Sequence, residues 1–158
     1  MAILILTTIF YVMLYLDDVP KTEEKLIPYS VYVGIGAILG ILWLIRRYMR
    51  FKVPRPAPAN AGQPALNVAA RIVHFLLYAG VAAILFIGYG MFNEADMLGV
   101  YRGENTFPKD FHTLSLREMH GAVGYTLLLL VIIHFSAAMY HQFIRKDNLH
   151  GRMWLGKR

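Results

Sequence analysis

With 158 residues, 57% of them hydrophobic, and a mean hydropathy of +0.45, the chain is too apolar for an ordinary soluble domain of its length. It has no cysteine, which excludes disulfides, thiolate clusters, thiol catalysis and the Cys-x-x-Cys-His attachment of c-type haem. The formal charge of +6 lies between and beside the apolar blocks, where basic side chains meet anionic lipid headgroups, and it calls for no nucleic-acid partner.

Four apolar blocks predict an all-α integral membrane four-helix bundle in one domain, 1–158, with spans at about 2–16, 27–47, 72–92 and 119–144. The first block is short for a hydrocarbon layer that takes roughly 20 apolar residues. No positive charge precedes it and no small-residue cleavage pattern follows it, which argues against a signal peptide. The expectation is a first helix truncated at its start, with Met1 an internal methionine of a longer chain; an intact mass of the native subunit checks this. Charge then alternates. Residues 17–25 hold four acids and two bases, 46–71 six bases and no acid, 94–118 five acids and three bases, and 145–158 five bases and one acid. Counted by the positive-inside rule, the second connection and the C-terminal tail are cytoplasmic, so a four-span chain in the bacterial inner membrane has both termini on the cytoplasmic side.

In the second span Gly34, Gly36 and Gly40, and in the third Gly80, Gly88 and Gly90, allow helices to approach closely or make room for a flat cofactor. Between them, 52–64 carries Pro54, Pro56, Pro58 and Pro64, which suits an extended cytoplasmic linker. The connection 93–117 is polar, yet its Tyr101, Phe107 and Phe111 are placed to cap the outer end of the bundle.

The histidines carry the chemistry. His120 and His134 stand fourteen residues apart in the last block. At about 100° and about 1.5 Å per residue they return to nearly one helix face about 21 Å apart, as two stacked cofactors require. Ionisable side chains in lipid are costly and usually bind something or move charge. Gly121, Ala122 and Gly124 follow the first histidine, and Ser136, Ala137 and Ala138 the second, leaving the helix surface low enough for a porphyrin. Bis-histidine haem b fits that pattern. Zinc sites gather three or four ligands within a few ångströms, and neither histidine has a second ligand one turn away. The plainer alternative is a histidine that only hydrogen-bonds another helix. His74, three residues after Arg71, and His141, seven after His134, fall at the cytoplasmic end and bracket a shallow site suited to haem propionates, a quinone headgroup or a third haem-ligating arrangement, or else they face headgroups. His112, His150 and Glu118 are read as facing water.

At these residues the chain resembles the bacterial cytochrome b561 family. In the fourth span the likeness includes His120, Gly124-Tyr125, His134, His141, Lys146-Asp147-Asn148 and Arg152-Met153; in the third, His74, Tyr78 and Gly88, with Leu85 where proline is common; and in the second connection the basic, proline-rich 46–56. Cytochrome b subunits of membrane hydrogenases and formate dehydrogenases are similar in plan. The resemblance implies a four-helix, inner-membrane, dihaem b protein that exchanges electrons with quinones. It implies that His134 shares a haem with a histidine near the start of the first span, and His120 with one in the second. Both partners are missing: the second-span position holds Tyr32, and no histidine precedes His74. A tyrosine ionising near pH 10 is a poor ligand in lipid, so one haem b is expected and the second is absent, altered or five-coordinate.

Three functions remain open at this point. The leading one is a membrane b-type cytochrome that transfers electrons between the quinone pool and a partner redox protein, with haem iron ligated axially by His134, its partner lying upstream of Met1 or else being His74, and, where a partner exists, by His120. In it Arg46, Arg47 and Arg71 neutralise propionates, a role lipid phosphates fill equally well. The second is a haem-poor anchor or accessory subunit of a larger respiratory or photosynthetic membrane complex. The third is a quinone-binding protein that uses His74 and His141 without haem.

Overall fold

A computed structural model describes residues 2–16, 18–20, 23–53 and 64–146, and its regular elements among them are all helical. Residues 54–63 of the linker, His150 and the basic ending after Lys146 lie outside the described residues. Helix α1 (Ala2–Tyr11) continues through a π-helical stretch, Val12–Leu16. Its Tyr11 hydroxyl donates to the Pro28 carbonyl at 3.1 Å, which pins the end of α1 to the start of α2 (Leu26–Lys52). Pro28 sits in the first turn of α2, where a missing N–H costs nothing. The far end of α2 carries Arg50 and Lys52 beside the negative pole of the helix dipole, and Val53, the residue before Pro54, is already extended.

Helix α3 (Pro64–Glu94) begins on proline, which is preorganised for a first helical position. Its 31 residues extend about 46 Å at 1.5 Å each. A short helix, α4 (Met97–Tyr101), follows; Asp96 in the left-handed region caps it by accepting from the Gly99 N–H at 3.3 Å and from the Asn105 side-chain amide. Helix α5 (Arg117–Met139) runs into a π-helical end, Tyr140–Arg145. Where the chain turns into α5, Glu94 accepts from both the N–H and the hydroxyl of Ser115, at 2.8 and 3.0 Å.

Helices α2, α3 and the α5 stretch to Arg145 are long and apolar enough to cross a membrane, and α1 forms a shorter apolar helix. Their large apolar side chains mostly point outward, as with Phe86 (79% exposed) and Tyr125 (68%), which water would penalise and lipid accommodates. The closest packing is antiparallel, α3 on α5. A Cβ on Gly80 would come 2.7 Å from Leu127 Cδ2, so glycine is what lets the nearly inaccessible Leu127 (2% exposed) seat against α3. Ile5, Leu39, Val81 and Val131 complete this central cluster. A second cluster of Met97, Val100 and Phe107 closes one end of the bundle, here called the α4 end; the opposite end, where α2 finishes, is the arginine end.

Candidate cofactor sites

The α3–α5 register brings one pair of the predicted histidines together, while His120 stands apart from them against α2. At the arginine end, His74 of α3 and His134 of α5 stand with ring centroids 5.0 Å apart and planes inclined at 69°. Depth places His74 level with His141 and leaves it an alternative partner for His134; the ring it meets is that of His134. His141 lies 6.1 Å from the Tyr140 ring. Below the pair, one helical turn from His74, the Tyr78 hydroxyl accepts from Arg46 Nε at 2.6 Å, and the Trp43 indole donates to the Tyr78 carbonyl at 3.2 Å. The guanidinium carbons of Arg46, Arg47 and Arg50 lie 6.0, 5.9 and 5.3 Å from the Tyr78 ring centre, a cation–π arrangement that gathers three positive charges at one level. Sequence reasoning named Arg46 and Arg47 but missed Arg50 and Trp43. Spacing of the three arginines on one α2 turn, and of His74 and Tyr78 at i and i+4, was the available signal. Arg71 instead donates to the Asn67 carbonyl of its own helix at 3.4 Å.

At the α4 end, Tyr32 of α2 faces His120 of α5, with the hydroxyl oxygen 2.8 Å from Nε2. Whichever of the two supplies the proton, Nε2 is engaged. The other ring nitrogen, Nδ1, is buried and makes no hydrogen bond. It lies against Gly88 of α3, where a Cβ would sit 3.6 Å from Nδ1 and 3.1 Å from Cε1. Beyond Tyr32, Tyr29 lies 6.2 Å away, stacks on Phe111 at 5.1 Å and meets Phe107 edge-on at 5.6 Å. The expected aromatic cap therefore consists of Phe107 and Phe111 on Tyr29, while Tyr101 packs on Phe92 and accepts from or donates to the Ser30 hydroxyl at 3.1 Å. His112 and Glu118 are exposed. Among the described residues no three His, Cys, Asp or Glu side chains gather as a structural metal site requires.

A family profile described as prokaryotic cytochrome b561 matches residues 1–156. The chain belongs to the prokaryotic cytochrome b561 family. It is 29% identical over 135 residues to "Cytochrome b561 homolog 2" of Escherichia coli (strain K12), covering 81% of this chain and 70% of that one. No solved structure matches the chain. Membership and the long apolar helices make it a multi-pass bacterial membrane protein in a lipid environment, from a family of b-type electron-transfer cytochromes.

The two pairs differ in how they accommodate haem b, the group the family implies. A metal–imidazole bond is about 2.0–2.1 Å, so two axial atoms on one iron stand about 4 Å apart and two axial imidazole centroids roughly 6.4 Å. The His74–His134 rings, at 5.0 Å, stand about 1.4 Å closer than that, a displacement similar to the one Tyr32 and His120 would need, but no hydrogen bond holds these two rings together. They are joined by a ring contact alone, and the small, exposed Ser136 and Ala137 lie just beyond His134. This level fits the group. Tyr32 and His120, with ligand atoms 2.8 Å apart and the remaining nitrogen against Gly88, do not.

Proposed function

We propose that this chain is a b-type electron carrier of the bacterial inner membrane that holds haem b at its arginine end and passes electrons between the quinone pool and a partner redox protein. The meeting of His74 and His134 beside the arginine cluster is the observation that carries this reading. His134 would hold the haem iron from α5, with His74 at the same level on α3. Arg46, Arg47 and Arg50 offset the negative charge of propionates. The Tyr78 hydroxyl, already polarised by Arg46, and His141 toward the end of α5 are groups of the kind that hydrogen-bond a quinone carbonyl. Bound haem b supplies reversible one-electron chemistry whose potential follows its axial ligands, burial and surrounding hydrogen bonds. The arginines at this end support a cytoplasmic orientation for it.

Haem quantification on the purified full-length chain tests the reading. About one haem b per chain, lost in His134→Ala and retained in His120→Leu, is expected. A haem-poor anchor or accessory subunit is the second reading, favoured by the engaged His120 nitrogen; it requires well under one haem per chain in all of these proteins and co-purification with a larger complex.

A further inference from the structure

We infer that the α4 end of this bundle is a closed polar fastener in place of a second haem site, and that Tyr32 is the residue that closes it. One His120 nitrogen is hydrogen-bonded and the other is buried without a partner. Nε2, the atom that faces α2, is 2.8 Å from the Tyr32 hydroxyl. That distance is a normal hydrogen bond and is more than 1 Å shorter than the roughly 4 Å between two atoms that share an iron. Nδ1 is turned onto the α3 backbone, where only the missing side chain of Gly88 leaves room for the imidazole edge. With Nε2 held by Tyr32 and Nδ1 turned onto α3, neither nitrogen faces an open position for an iron. The aromatic group of Tyr29, Phe107 and Phe111 packs beyond Tyr32 and fills the space on that side.

The three helices thus meet at His120: α5 supplies the imidazole, α2 the hydroxyl and α3 the gap. A polar contact between spans fastens helices in a medium that gives them no hydrophobic reason to associate. The inference deepens the proposed function, on which one consequence rests. With a single haem level, about 21 Å of helix between His120 and His134 holds no relay, so donor and acceptor both meet the chain at the arginine end.

The test is the ratio of haem b to chain, by pyridine haemochrome against amino-acid analysis, for the full-length protein from haem-replete membranes. Wild type should give one and Tyr32→His two, the new imidazole restoring a ligand pair once the hydroxyl is gone. Where Tyr32→His fails to assemble, Tyr32→Gly serves, its second haem appearing only with imidazole in the medium. Two haems in the wild type would overturn the inference, and so would a Tyr32→His protein, or an imidazole-supplied Tyr32→Gly protein, that stays at the wild-type count. No haem in the wild type with one in Tyr32→His would uphold the fastener and defeat the proposed function, which keeps the two failures apart.

Discussion

Removing the Tyr32 hydroxyl with Tyr32→Phe leaves the ring in place and strips His120 of its one hydrogen bond, so that both imidazole nitrogens are left unpaired instead of Nδ1 alone. An unsatisfied buried polar atom costs about 1–3 kcal/mol, whereas interhelical hydrogen bonds in membranes are worth on average about 0.6 and at most about 1.7 kcal/mol, because the unfolded chain in lipid also finds partners. The single variant should therefore lose about 1–2 kcal/mol. His120→Leu should cost less, since it leaves one unpaired hydroxyl where Tyr32→Phe leaves two nitrogens. In a double-mutant cycle with both changes, the coupling should be about 0.6–1.7 kcal/mol, roughly a 3- to 20-fold change in the unfolding equilibrium. Reversible unfolding in mixed detergent and dodecyl sulfate, followed by far-ultraviolet circular dichroism, measures it. Additive single effects, with no coupling, would refute the bond between Tyr32 and His120 and with it the closed α4 end.

Gly80→Val should destabilise the same fold by about 1–3 kcal/mol, because its Cβ would fall 2.7 Å from the buried Leu127, while Gly34→Ala, facing open space, should cost nothing measurable in the same assay. His74→Ala, which leaves His134 as the one imidazole at that level, should convert the haem spectrum from low-spin to high-spin and shift its midpoint potential, read by optical spectra and redox titration; an unchanged spectrum and potential would separate His74 from the His134 site.

The all-α architecture was legible because lipid forces every backbone group into a helix and leaves apolar runs written plainly along the chain. Pairings between helices were less so. Fourteen-residue spacing showed that His120 and His134 share a face, but which residue each would meet depends on the α3–α5 register, and that is set by where Gly80 and Gly88 let backbones close up. Depth puts His74 level with His141 and leaves it an alternative partner for His134; it takes the α3–α5 register to bring its ring against that of His134. Tyr32 stands out as a departure from the family pattern, and Tyr29, Tyr32 and Phe111 as side chains able to fill that face; the hydrogen bond from Tyr32 to His120 requires the relative rotation of α2 and α5, which no local spacing encodes. Conversely, the aromatic cap was visible early, since Phe107 and Phe111 in a polar connection have nowhere to bury except the bundle end.

Difference spectra of native membranes containing the full-length chain, with haem b quantified per chain in the wild type and in His134→Ala, address the central claim most directly. About one haem b in the wild type and none in His134→Ala is the predicted result. Full retention of haem in His134→Ala would contradict the assignment of the arginine end as the cofactor site.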